Sequence, residues 1–115
     1  MKKFILLMAA VAGLFILAGC ADSPQDVAKK YAVAIGNRDL GTANSFCTKN
    51  METKNKFIVA MKRSNSTAKE IENICEDIDE ARVDKNDTTA KIYIDEEKDP
   101  IVLVKVDGEW KVDKY

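Results

Sequence analysis

The chain has 115 residues, with 18 Lys and Arg against 19 Asp and Glu and no histidine. That length gives room for one domain. The balanced charge, with basic and acidic residues interleaved beyond position 69, lacks the basic surface that nucleic acid requires as a partner. Missing histidine removes the commonest general base near neutral pH and the commonest nitrogen ligand for zinc or copper.

Lys2 and Lys3 precede an almost unbroken apolar run from Phe4 to Leu17. The run is short for a membrane span, which needs about 20 apolar residues, and no basic stop-transfer flank follows it. It ends in Leu17-Ala18-Gly19-Cys20, followed by the polar stretch Ala21-Asp22-Ser23-Pro24. This ending resembles the lipobox of bacterial lipoproteins. The resemblance implies that residues 1–19 are an export signal, that cleavage falls before Cys20, and that the Cys20 sulfur receives a diacylglycerol. In many bacteria a third acyl chain joins the new amine. Such chains, at roughly 0.8 kcal/mol per buried CH2, would hold a water-soluble domain on a membrane. Ala21, where a sorting rule of enterobacteria reads Asp, favours the outer membrane if the bacterium has one. Residues 20–24 are then a lipidated N-terminus and short linker, and residues 25–115 a single domain facing the periplasm or exterior. The part from Cys20 onward has 96 residues with 16 basic against 19 acidic side chains. A chain of this size buries only about 60–65% of its unfolded surface and holds one modest core.

Ser23-Pro24 reads as an N-cap followed by a first-turn proline, and Asp26 places negative charge where the helix dipole favours it. Val27, Ala28, Tyr31, Ala32 and Ile35 then recur at helical spacing until Gly36-Asn37 ends the helix. Asp39 caps a short second helix with Leu40, Ala43, Phe46 and Cys47 on its apolar side. Two helices joined by about three residues fold back on each other as a hairpin. A third helix of two to three turns is predicted around Phe57-Ile58-Val59-Ala60-Met61, with Phe57, Ile58 and Met61 sharing a face with Lys54. Ser64 to Thr67 reads as a break.

From Glu70 two patterns compete. Ile71, Ile74, Cys75 and Ile78 fit a helical stripe, whereas the alternation through Ile74, Glu76 and Ile78 fits a bulged edge strand. The strand, from about Ile74 to Val83, is favoured because Asp84 to Asp87 looks like a hairpin turn into a clear strand, Thr88 to Glu96. In that strand Ala90, Ile92 and Ile94 face one way and Lys91, Tyr93 and Asp95 the other. Glu97 to Pro100 turns the chain into a strand from Ile101 to Val106. Asp107-Gly108 is the strongest hairpin signal, and Glu109 to Asp113 returns as a last strand with Trp110 and Val112. The expected fold class is α+β, with N-terminal helices covering the apolar face of a curved antiparallel β-meander.

The Ser23-Pro24 start, the Tyr31 to Ile35 helix, the Asp39 to Ala43 second helix and the closing Val104 to Val112 hairpin together resemble the nuclear-transport-factor-2-like, or cystatin-like, fold. More closely they resemble small bacterial lipoproteins of unknown function with that fold. The resemblance implies a cone-shaped cavity between helices and sheet, used elsewhere for small apolar ligands, for catalysis, or filled with side chains; fold alone does not choose. The candidate walls are Tyr31, Ile35, Phe46, Phe57, Ile92, Leu103 and Trp110, with core packing the default reading of their aromatic members.

In an oxidising envelope the even pair Cys47 and Cys75 reads most simply as a disulfide, with two buried free thiols as the alternative. The acidic runs Glu70 to Glu80 and Asp95 to Asp99 lack the ligand spacing and glycine of a calcium loop, so they read as solvated faces. No catalytic residue, metal or cofactor is expected. The resulting expectation is a non-catalytic, lipid-anchored accessory whose partner is the membrane, through Cys20, and an envelope protein or the cell wall. Homodimerisation is left open, and the alternative is a small apolar ligand carried in the cavity.

Overall fold

The computed structural model describes residues 22–115. The expected export signal, the expected cleavage site and Cys20 lie outside the described residues. Four helices come first: α1 (Pro24–Gly36), α2 (Leu40–Ser45), α3 (Lys49–Met61) and α4 (Ala68–Glu80). Four strands follow, β1 (Arg82–Lys85), β2 (Thr89–Tyr93), β3 (Ile101–Val106) and β4 (Glu109–Lys114), forming an open antiparallel meander in chain order.

The start of α1 is fixed by a full capping box. Ser23 Oγ accepts from the Asp26 N–H at 3.1 Å, and the Asp26 carboxylate accepts from the Ser23 N–H at 3.3 Å. Val27, Ala28, Tyr31, Ala32, Ala34 and Ile35 are all buried, so α1 is enclosed over most of its circumference. It packs on α2, α3, α4, β3 and β4. Asp39 caps α2 as the sequence predicts, its carboxylate accepting from the Thr42 N–H at 3.1 Å and the Thr42 hydroxyl at 2.6 Å.

The segment read as an edge strand from Ile74 to Val83 is instead helix α4 followed by the short strand β1. Two local facts decide this. Thr67 and Glu70 form a second reciprocal capping box, with Thr67 Oγ1 accepting from the Glu70 N–H at 3.1 Å and Glu70 accepting from the Thr67 N–H at 2.7 Å. Ile71, Ile74 and Ile78 then lie three and four residues apart on the helix side turned toward the domain, with Ile78 completely enclosed. Strand alternation over the same residues would have put both Ile74 and Ile78 on one face without using the caps.

In the sheet, Ala90 pairs with Leu103 and Leu103 with Val112, so the buried residues Ala90, Ile92, Ile101, Leu103, Trp110 and Val112 present one face to the helices. Strand β2 ends at Tyr93, earlier than expected, and Ile94 is 41% exposed rather than continuing that face. The Asp95 carboxylate accepts from the Glu97 N–H at 3.0 Å, starting the turn that replaces the strand. Asp107 and Gly108 have φ of 52° and 82°, the left-handed pair that a two-residue hairpin needs.

Both sheet edges are protected. At β4 the α2–α3 connection adds a short parallel bridge: Phe46 accepts from the Val112 N–H at 2.8 Å and Val112 from the Thr48 N–H at 2.9 Å. At β1 the exposed residues are charged, and Arg82 makes paired bonds of 2.8 Å to Glu96 while lying 4.1 Å from the centre of the Tyr93 ring.

Because Ile78 is the fully enclosed anchor of α4, Ile78→Ala should destabilise the domain by about 2–4 kcal/mol. Ile71→Ala, at a half-exposed position of the same helix, should cost less. Urea unfolding monitored by far-UV circular dichroism distinguishes the two, and equal losses would contradict the burial described.

Candidate functional site

The space between helices and sheet is filled. Tyr31, Met51, Ile78, Ile92, Leu103, Val112 and Asn55 are each less than 2% exposed. Of the seven wall residues expected from sequence, Tyr31, Ile92 and Leu103 therefore form solid core. Ile35 is buried beside a separate shallow cleft of about 210 Å3 that it shares with Ile71, Ile74 and Tyr115. Phe57 is no wall at all: it is 66% exposed on α3, because Ile58 and Val59 take the inward positions of that helix. Only Phe46 and Trp110 come together at an opening.

That opening is a groove of about 350 Å3 beside the start of α1, lined by Asp22, Val27, Phe46, Trp110 and Lys111 among others. Trp110 is nearly covered, and the Lys105 ammonium lies 5.2 Å from its ring centre. Lys30 stands 5.8 Å from the ring centre of Phe46. Lys111 donates to the Ser45 carbonyl at 2.7 Å, and the Ser45 hydroxyl is occupied with the Thr42 carbonyl at 2.6 Å. These polar groups tie α2 to β4. None of them converges on the groove as an acid–base or nucleophile–base pair would.

The most concentrated polar chemistry among the described residues lies inside, at residues that the pattern of the chain does not single out. Asn55 is fully buried on α3, and its carbonyl oxygen accepts a short hydrogen bond from the Tyr31 hydroxyl. Its amide donates to Asn44 Oδ1 at 2.9 Å and lies 3.2 Å from the Cys47 sulfur. Burial pushes the Tyr31 hydroxyl well above the ordinary tyrosine range and raises the Cys47 thiol as well. Both groups stay protonated near neutral pH, so the network is a neutral clamp joining α1, α2 and α3. Among the described residues no buried side-chain nitrogen or oxygen is left without a partner. The available signal was Asn55's place in the stripe of Met51, Ile58 and Val59, at the spacing of a helix's inward face.

The expected disulfide is absent: Cys47 and Cys75 are both free thiols. Cys47 is enclosed against Asn55 and Asn44, while Cys75 rides half-exposed on α4, which packs against α1. Reading residues 74–83 as a strand had placed Cys75 at the start of the sheet, and the helix moves it elsewhere. The acidic runs are divided among caps and ion pairs. Glu70 caps α4, Asp79 meets Lys29 at 2.7 Å, and Glu96 holds Arg82. Among the described residues no three Cys, Asp or Glu side chains converge as metal ligands.

No protein-family model matches the chain, and neither the curated proteins nor the solved structures contain a significant match.

Two outcomes follow. Asn55→Ala should cost about 1–3 kcal/mol by stranding the Tyr31 hydroxyl in the core, and Asn55→Ala with Tyr31→Phe should recover part of that loss in a double-mutant cycle of urea unfolding. Reduction should leave the intact mass unchanged, and a thiol reagent should modify Cys75 before Cys47, which reacts only on unfolding. A gain of two hydrogens on reduction would contradict the free thiols.

Proposed function

We propose that this chain is a lipid-anchored protein of the cell envelope that acts as a non-catalytic interaction or structural accessory, built on a nuclear-transport-factor-2-like or cystatin-like domain. The observation that carries the reading is the succession Lys2-Lys3, the apolar run Phe4 to Leu17 and Leu17-Ala18-Gly19-Cys20, which stops three residues before the capping box at Ser23. Charge, apolar length and cysteine thus stand at lipoprotein distances immediately ahead of a folded unit. Among the described residues no helix is long and apolar enough to cross a membrane, and in this reading the acyl chains on Cys20 supply the attachment. The fold name is supported by the order of elements, helices first and an open antiparallel meander closing on the Asp107-Gly108 hairpin.

The packed interior supports an accessory role over a carrier: a carrier takes a solvent-open cleft of about 300 Å3 or more lined by the expected apolar walls, and of those seven only Phe46 and Trp110 line the groove of that size, beside the charged Asp22, Glu109 and Lys111. The groove at Phe46 and Trp110 reaches that size only as an open surface feature next to α1. Function is accordingly assigned to the outer surface of the domain.

Intact mass spectrometry of membrane-extracted protein should give a chain beginning at Cys20 with the added mass of two or three acyl chains. Cys20→Ser should abolish that mass and leave uncut precursor. A wild-type protein that starts at Met1 without acyl mass would overturn the proposal.

A further inference from the structure

Among the described residues the charge of this domain is most strongly reversed at helix α3 and the two residues after it. Residues 49–63 carry Lys49, Lys54, Lys56, Lys62 and Arg63 against Glu52 alone, while the remainder of residues 22–115 carries 11 basic and 18 acidic side chains. Among the described residues none of these five cations makes a salt bridge. Lys62 alone is engaged, donating to the Ser66 hydroxyl at 3.1 Å. Lys49, Lys54, Lys56 and Arg63 are exposed.

The same surface holds the two most exposed large apolar side chains among the described residues, Phe57 at 66% and Met61 at 82%. They are four residues apart and so stand one above the other on the helix. Met51, Asn55, Ile58 and Val59 occupy the opposite, inward side. The outer face is thus an apolar pair, extended by the exposed Ala60, with lysines on both flanks.

We propose that this face of α3 lies against an anionic phospholipid bilayer, with Phe57 and Met61 entering the headgroup boundary and the flanking cations meeting lipid phosphates. The proposal rests on the lipid-anchored reading, which supplies the membrane. Charge complementarity selects the occupant. A net-acidic domain is repelled by an anionic leaflet everywhere except at a cationic patch, so the patch also sets its orientation. Two side chains offer too little area for a stable protein interface, whereas a domain already held by acyl chains needs only a weak second contact, to which an apolar pair and snorkelling lysines both contribute. Pro24 begins α1 four residues after Cys20, a reach of at most about 14 Å, so the anchor holds the domain close enough to rest on its side.

The test uses the full-length chain, expressed and processed in the cell, carrying Met61→Cys and Cys75→Ser and labelled at position 61 with an environment-sensitive dye. It is reconstituted into phosphatidylcholine vesicles with or without about 30% phosphatidylglycerol. A blue shift confined to the anionic vesicles, and reversed by about 0.5 M salt, is expected. Lys54→Glu with Lys56→Glu should lower the ratio of docked to undocked α3 face, read from the dye's blue shift, at least tenfold at an unchanged far-UV spectrum and unchanged vesicle attachment, because each cation near such a surface contributes about fivefold. Identical spectra in both vesicles would overturn the contact. A shift in neutral vesicles that grows with protein-to-lipid ratio would overturn it in favour of a second copy.

Mass spectrometry of the same samples separates the two readings. Acyl mass with no lipid-dependent shift sinks only the α3 contact. A shift without acyl mass sinks only the anchor, and a chain that leaves both kinds of vesicle without acyl mass sinks both.

Discussion

Everything in this domain is arranged around the enclosure of α1. A helix of thirteen residues that touches three other helices and two strands has little surface left for solvent, and its sequence shows the cost in side-chain size. Ala28, Ala32, Ala34 and Gly36 let neighbours come close, and Tyr31 supplies the one large side chain. At Gly36 a Cβ would stand 3.3 Å from both Ile71 and Ser66, so α4 and the turn before it fit against the end of α1 with little room to spare. Because α1 is hidden on nearly all sides, its single polar side chain in the interior had to find a partner, and Asn55 of α3 provides it. The clamp then requires the Asn55 amide to be satisfied in turn, which Asn44 does. One buried hydroxyl thereby specifies the relative placement of three helices.

Enclosing α1 also accounts for the close packing between helices and sheet among the described residues. A small domain has few residues with which to hold a sheet and three helices around a fourth. Here Met51, Ile78, Ile92, Leu103 and Val112 take the available interior volume. Helices over an open antiparallel sheet enclose a binding cavity only when they stand away from it, and α1 packs directly on β3 and β4. Chemistry with outside partners is left to the surface, and the surface is sorted by charge. Acidic side chains collect on α4 and basic ones on α3, with Lys29 and Asp79 tying α1 to α4.

Local chemistry made part of this legible from sequence. Capping at Ser23 and Asp39 and the left-handed turn at Asp107-Gly108 depend on residues within four positions of one another, and each was read where it occurs. Helix α4 was misread because a stripe at 71, 74 and 78 satisfies a helix while 74, 76 and 78 also satisfy a strand. The Thr67–Glu70 capping box could break the tie, but Ser64 to Thr67 reads first as a loop. That error then carried Cys75 to the wrong element and made a disulfide look natural. The exposure of Phe57 was missed for a different reason. Five consecutive apolar residues cannot all face inward on a helix, and which of them turn outward depends on where Met51 and Asn55 dock, two turns and one turn away.

The outward turn of Phe57 and Met61 has an energetic meaning within this frame. Rotating α3 to bury them would withdraw Asn55 from Tyr31 and leave a hydroxyl and an amide unpaired in the core. An unpaired buried polar group costs about 1–3 kcal/mol, comparable with what burying one more large apolar side chain returns. Because the same rotation would turn Met51, Ile58 and Val59 outward in exchange for Phe57 and Met61, the stranded polar groups decide it, and the exposed pair is a consequence of the internal clamp. The lysines flanking that pair keep it in water without covering it. The same network that packs the interior thus presents an apolar, cationic face on the outside of α3.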